Sequence, residues 1–336
     1  MNARKLLLIV PIGLICLSSC KQKHYFFNEG VAFGTTYHIT YNATEDLQKG
    51  MEAEMENFNQ SLSTYLPNST ISRFNRSGTE PFDLSKDPWM LKMVLESLNF
   101  SALSNGAFDI TVGPLVDLWG FGPKAKSDPT QVKIDSIKSY VGYKRLTLQE
   151  KRLIKSDPRI QLDCGAIAGG YASDIIADYL QKQGVDDYMV EIGGEVVLHG
   201  RNPKGSKWRI GINKPTDDST STNNDIEKLL ILTDKALSTS GNYRSFYVKD
   251  GKKYAHTIDP HTGYPVQHSL LSATILANDC FTADALATAC MVLGVDASMK
   301  LIENLPDIEA FFIYNEGGPD NKYKYTSGFE AFLEKE

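Results

Sequence analysis

Apolar residues recur at helical spacing over residues 47–62 and again over 88–103, where the run meets Asn105-Gly106. Residues 134–140 and 170–183 read as further helices, and an apolar helix opens near Thr282 and stops at Gly294. β-Branched and aromatic residues alternate roughly over 31–41 and predict a strand. Shorter runs at 145–148, 188–192, 208–212, 229–233, 245–248, 272–277 and 310–314 predict more strands. The stretch 106–122 mixes Gly, Pro and aromatic residues and reads as structured loop, and 215–224 (PTDDSTSTNN) reads as a solvated loop too short to link domains. Helices and strands come in clusters, with no internal repeat and no steady βα alternation. The expected fold is therefore α+β, one unit with a central mixed or antiparallel sheet flanked by helices.

The start of the chain follows another rule. Arg4 and Lys5 precede an apolar run over 6–17, the length of a signal-peptide core and too short to span a bilayer comfortably. Leu17-Ser18-Ser19-Cys20 resembles a bacterial lipobox, which predicts residues 1–19 as a lipoprotein signal peptide and 20–30 as a lipid-anchored tether. Residues 31–336 then form the domain, exported and held to a bacterial membrane, on its periplasmic or outer face, by a lipidated Cys20. The alternative is a plain secretory signal with a chance cysteine. Beyond Cys20 lie Cys164, Cys280 and Cys290, with no CxxC or CxxxC pair, so neither a disulfide framework nor a thiolate zinc site is indicated. They read as buried small hydrophobes, with a Cys280–Cys290 bridge left open.

Composition narrows the partners. The 336 residues are 42% hydrophobic and 23% charged, ordinary globular proportions that exclude a disordered, collagenous or polytopic membrane chain. With 35 basic against 41 acidic residues and no basic block, nothing here would neutralise a phosphate backbone, so no nucleic-acid partner is expected.

Four segments carry candidate chemistry. Residues 162–174 (LDCGAIAGGYASD) read as a strand end feeding small residues into a helix start, where an anionic ligand can approach backbone groups and the positive end of the helix dipole; close helix packing explains them equally. Their spacing fits neither a dinucleotide fingerprint nor a phosphate-binding P-loop. In the helix opened by Thr282, Asp284 and Thr288 lie four apart and share a face, offering hard oxygen ligands of the kind magnesium takes, although a capping or solvated pair looks the same in sequence. Residues 254–265 (YAHTIDPHTGYP) form a strong turn signal, with His256 and Asp259 beside it as a group titrating near neutrality and one that orients it or binds metal. Glu191 to Glu195 (EIGGE) implies an unusual backbone or a close ligand approach at a strand end, or a β-bulge.

These segments, with Phe33-Gly34-Thr35-Thr36-Tyr37, Ser63-Thr64-Tyr65, 106–122 (GAFDITVGPLVDLWGFG) and Ser240-Gly241-Asn242-Tyr243-Arg244, resemble in order the ApbE family of FAD:protein FMN transferases. The resemblance covers nearly the whole chain beyond residue 20 and implies a T-fold-related α+β unit. It implies magnesium-dependent transfer of FMN from FAD to a threonine hydroxyl of a target protein, with release of AMP. The metal ligands would be Asp284, Thr288 and the main-chain oxygen of Ala166. FAD would be met at Phe33, Tyr65, Ala107, Phe108, Asp109, Asp163, Gly169 and Ile258, and His256 is the candidate general base. In this reading Tyr65 or Phe108 covers a flavin or adenine face, and Asp109 and Asp163 accept hydrogen bonds. The acceptor would be an electron-transfer subunit of the sodium-translocating quinone reductase or Rnf type. The chain departs from the family at three places: Phe33 stands where relatives often have Met, Gly169 where many carry Lys, and Glu191 where Asn is common. The alternatives are an FAD pyrophosphatase giving FMN and AMP, and a lipoprotein that binds FAD without turning it over.

Overall fold

The protein is described by a computed structural model over residues 22–122, 129–216, 225–243, 246–249 and 252–335. The predicted signal peptide, Cys20 and residues 217–224 of the polar loop lie outside the described residues. Two strands, β1 (His24–Ala32) and β2 (Thr35–Ala43), open the fold as a hairpin. This corrects two expectations. The segment read as tether is, from His24 onward, an edge strand, and residues 31–41 are interrupted by a turn at Phe33-Gly34, both with positive φ. Helices α1 (Gln48–Leu62) and α2 (Thr70–Arg76) follow, then strand β3 (Phe82–Asp83) and α3 (Pro88–Leu103). Helix α3 has the predicted limits because Asp87 caps Met90 N at 2.9 Å and Pro88 occupies its first turn.

The stretch expected as loop contains α4 (Gly113–Trp119), which Pro114 starts and Gly120, in the left-handed region at φ 82°, stops. Next come α5 (Gln131–Lys138), β4 (Leu146–Gln149), β5 (Arg152–Lys155), α6 (Ala168–Lys182), β6 (Tyr188–Ile192) and β7 (Glu195–His199). The remaining elements are β8 (Trp208–Asn213), β9 (Ile226–Leu232), β10 (Lys235–Gly241), β11 (Phe246–Lys249), β12 (Lys252–Ala255), β13 (Leu270–Ala277), α7 (Cys280–Leu293), α8 (Val295–Ile302), β14 (Glu309–Tyr314) and β15 (Lys322–Tyr325).

The main sheet has eight strands in the order β1-β2-β6-β7-β10-β13-β14-β15, and every pairing is antiparallel. Side chains alternate across it. On one face, Val197 and Ala236 join the large core under α1, α3 and α6, while Ala273 and Ile275 pack beneath α7. On the other, Val196, Leu198, Leu237 and Leu276 meet Trp208, Ile212, Leu230 and Leu232 of the β8–β9 hairpin. The fold is α+β, as expected, with its sheet antiparallel rather than mixed. Cys280 and Cys290 are free and buried. Ten residues apart on one helix, they stand about 15 Å from each other, beyond disulfide reach.

Two buried contacts join α6 to α7. Asp174 of α6 accepts Cys280 N at 2.8 Å and Phe281 N at 2.9 Å, the first amides of α7. In return, Asp284 of α7 accepts Gly170 N, in the first turn of α6, at 3.0 Å. Each helix thus lends the other a carboxylate for amides that have no partner within their own helix. The helices approach so closely that a Cβ on Gly170 would strike the Cys280 carbonyl oxygen and lie 2.8 Å from Asp284 Cβ.

Two predictions follow from this joint. Gly170→Ala should destabilise the fold by about 1–3 kcal/mol, the usual cost of overpacking, measured by urea unfolding; wild-type stability would contradict the close approach. Burial outweighs the two amide donors and pushes the Asp174 carboxyl from its ordinary 3.8 up to about 7. Folding therefore favours its protonated form, so the stability this group contributes is complete below about pH 4 and lost as pH rises towards 7. Thermal unfolding of metal-free Asp174→Asn at pH 4, 6 and 8 should show a shallower decline than wild type. Parallel profiles would refute the assignment.

Candidate functional site

Segment 162–167 is held in place before α6 begins. It is not the strand end expected from sequence but an irregular run clamped by side chains. Asn75 brackets Leu162, accepting its N–H at 2.7 Å and donating to its carbonyl at 2.9 Å, and Asp163 N donates to Ile110 O at 2.8 Å. Buried Lys155 supports the same corner by donating to the carbonyls of Phe74, Asn75 and Ile160 at 3.0–3.3 Å. The Cys164 thiol donates to Leu62 O at 3.2 Å, which sets the exposed Tyr65 loop beside this segment.

Ala166 sits in the turn that leads into α6, and Thr288 Oγ1 lies 3.4 Å from its carbonyl oxygen. One helical turn earlier, Asp284 is 6% exposed, with Oδ2 on Gly170 N and Oδ1 accepting Ser238 Oγ at 3.0 Å. The three predicted metal ligands are therefore gathered where α6 meets α7. Their fit to magnesium can be tested on distance: an octahedral ion with bonds of about 2.1 Å holds neighbouring oxygens about 3 Å apart. The Thr288–Ala166 separation is close to that value, and all three donors are hard oxygens. Burial pushes the Asp284 carboxyl up to about 7, against the Gly170 and Ser238 donors that favour its charge.

The other predicted residues are held by partners of their own. Asp109 is buried, its Oδ1 accepting Thr111 N and Oγ1 at 2.8 and 2.7 Å and its Oδ2 accepting Tyr143 N at 2.7 Å. Its oxygens fasten the 105–113 loop, and burial raises its carboxyl above the ordinary range. The ring of Phe108 is 1% exposed and packs edge-on to Phe100, so it presents no face to a flavin or adenine, contrary to expectation. Ala107 and Ile258 are likewise buried. Tyr65, 77% exposed, is the aromatic side chain of the set that is open to a ring. Asp163 accepts Gly165 N at 2.8 Å, and Phe33 packs edge-on to Phe58 at a centroid distance of 5.5 Å.

The Asp-Pro turn forms as predicted. Gly263 N donates to Asp259 O at 2.8 Å and Ile258 pairs with Pro265. Trp119 Nε1 donates to Gly263 O at 2.8 Å, and His261 Nε2 lies 2.9 Å from Asn105 O, which fastens this turn to the 105–122 segment. His256 follows β12, half-buried, with its ring 6.3 Å from that of Phe121. Its neighbour Thr257 donates to Asn242 Oδ1 at 2.7 Å, just past the end of β10. That same strand carries Ser238, four residues or roughly 13 Å away at strand rise. The EIGGE segment is a two-residue hairpin turn rather than a bulge: Gly193 and Gly194 have φ of 70° and 111°, and Ile192 pairs with Glu195.

Sequence reasoning assigned no role to Ser238 or Glu195. Ser238 lies in a strand of small residues with no motif, and Glu195 was visible only as the end of the Gly-Gly run. Among the described residues no group of three His, Cys, Asp or Glu side chains forms a metal cluster, so a site here must draw on hydroxyl and carbonyl oxygens.

The chain is similar to known proteins in both sequence and structure. The ApbE family model matches residues 33–312. The chain is 39% identical to the FAD:protein FMN transferase of Vibrio cholerae, over 98% of this chain and 99% of that one, and 34% identical to the Escherichia coli K12 protein of the same name, over 92% and 89%. Among solved structures, the flavin transferase ApbE from Vibrio cholerae superposes with a TM-score of 0.84 at 39% identity, covering 93% of this chain and all of that one. The ApbE protein of Thermotoga maritima gives 0.81 at 26% identity, with coverage of 93% and 100%. On sequence and on structure alike, this chain belongs to the ApbE family.

Proposed function

We propose that this protein transfers FMN from FAD to a hydroxyl of an acceptor protein, a threonine by family resemblance, and releases AMP. The observation that carries the reading is the convergence of Asp284, Thr288 Oγ1 and Ala166 O at the α6–α7 junction, in a chain of this family. The acceptor oxygen forms a bond to the FMN-side phosphorus, the bond from that phosphorus to the AMP oxygen breaks, and the hydroxyl proton leaves. His256, which follows β12, would take that proton, a contribution of about 100- to 10,000-fold in rate.

Asp284, Thr288 and the Ala166 carbonyl would hold magnesium. When bound there, the ion supplies charge neutralisation for the diphosphate and the leaving oxygen. Ser238 and Gly170 N fix the Asp284 carboxylate by a donor on each oxygen, so that it cannot swing away. Exposed Tyr65 would cover a ring of FAD, and the 105–113 loop, tied down by Asp109, would meet the dinucleotide near Asp163. A lipidated Cys20 would hold the enzyme at the membrane, beside acceptors of the sodium-translocating quinone reductase or Rnf type.

The test is incubation with FAD, magnesium and such an acceptor, read as in-gel flavin fluorescence and as a mass gain of one FMN. An unmodified acceptor, with a working relative as control, would overturn the proposal. FMN release without acceptor would instead indicate the pyrophosphatase. Asp284→Asn should lower magnesium-dependent transfer by at least about 100-fold, as loss of an electrostatic stabiliser does. His256→Ala should lower transfer by about 100-fold or more while FAD affinity is kept; wild-type rates in either variant would remove that residue from the mechanism.

A further inference from the structure

The acids around the α6–α7 junction are not equally partnered. Glu191 accepts Gly194 N at 2.7 Å on one oxygen and faces His38 Nδ1 at 2.5 Å with the other. Asp284 has a donor on each oxygen. Glu195, the first residue of β7, has neither: the one donor facing its carboxylate is its own amide, and among the described residues no basic side chain pairs with it.

Its position is nevertheless tightly defined. Ser173 Oγ of α6 donates to its carbonyl oxygen at 3.3 Å, and its carboxylate lies against the first turn of α6. A Cβ on Gly169 would be 2.5 Å from Glu195 Oε2, and one on Gly193 would be 3.1 Å from the same atom. The two glycines thus leave the space that this carboxylate occupies, beside the residue whose neighbour, Gly170, bonds Asp284. The negative charges of Glu195 and Asp284 act on each other there. An anionic diphosphate arriving at such a pair would be repelled unless a cation lay between them.

We propose that Glu195 is a second carboxylate of the divalent-cation site, acting on the ion held by Asp284, Thr288 and Ala166. This rests on the cation reading given above and extends it to a residue outside that ligand set. A second carboxylate beside the ion adds to the attraction that holds it, while the coordination positions the protein leaves open stay available to phosphate. A side chain at position 169 would make the Glu195 carboxylate shift from its present place.

The test uses the full chain, stripped of metal, and manganese alone as probe, titrated by calorimetry and by the electron paramagnetic resonance of free Mn2+. Glu195→Gln should raise the Mn2+ dissociation constant about 10- to 100-fold, as loss of a supporting carboxylate does, and Glu195→Asp should recover part of that loss. The rise in unfolding temperature from EDTA to saturating Mg2+ should be smaller for Glu195→Gln than for wild type. If Asp284→Asn weakens Mn2+ binding while Glu195→Gln stays within about twofold of wild type, this inference is overturned and the cation site stands. If neither substitution changes Mn2+ binding, the cation reading fails and this inference fails with it.

Discussion

Helices α6 and α7 are joined by an exchange of carboxylates. Asp174 of α6 satisfies the opening amides of α7, and Asp284 of α7 satisfies an opening amide of α6. A helix N-terminus buried without such partners is costly, so the two ends can be inside the protein only together. The exchange requires contact at backbone distance, which Gly170 permits. It also sets the direction of everything downstream on α7: once Asp284 is fixed, Thr288 one turn later must lie over the Ala166 carbonyl. The catalytic reading of the site is a consequence of how two helix starts are satisfied.

The sheet supplies the remaining constraint. Ser238 reaches Asp284 from β10, and the same strand leads to Asn242, which holds Thr257 next to His256. The candidate base and the candidate ion site therefore share a rigid strand, although they belong to segments separated in sequence. Loop 105–113 is fastened from three sides, by Asp109 to Tyr143, by Ile110 to Asp163, and through Asn105 to His261. Ties from three separate segments give this loop a positional precision that an isolated loop lacks.

Much of this was legible where a residue's type and its periodicity say the same thing. Asp284 and Thr288 could be placed on one helix face because the apolar run around them is long enough to read as a single helix, and the limits of α3 were written in Asp87 and Pro88. What sequence could not show was orientation. Phe108 stands in the most family-like run of the chain, yet its ring faces Phe100 rather than a ligand, and the Asp109 oxygens are committed to the loop itself. Helix α4 was overlooked because Gly113-Pro114 reads as a turn unless Pro is taken as a helix start. Strand β1 was overlooked because a lipobox invites a tether after it, whereas His24 to Ala32 have a partner strand to complete.

Electrostatics ties the fold to its chemistry. Burial raises Asp174 to about 7 and Asp284 to about 7, and Glu195 well above its ordinary value, so the junction of the two helices is a concentration of acids in an environment that disfavours their charge. Asp174 is occupied by backbone amides and contributes to the fold. Asp284 is occupied too, but its donors, Gly170 N and Ser238 Oγ, leave a second lone pair on each oxygen. Glu195 has the least compensation of the three. In the proposed function an anionic dinucleotide would come to this place, and hard oxygens gathered in one corner suit a divalent ion better than a lysine. An ammonium group would pair with the carboxylates and remain fixed to the chain, whereas an ion held by few protein oxygens keeps coordination positions free for phosphate.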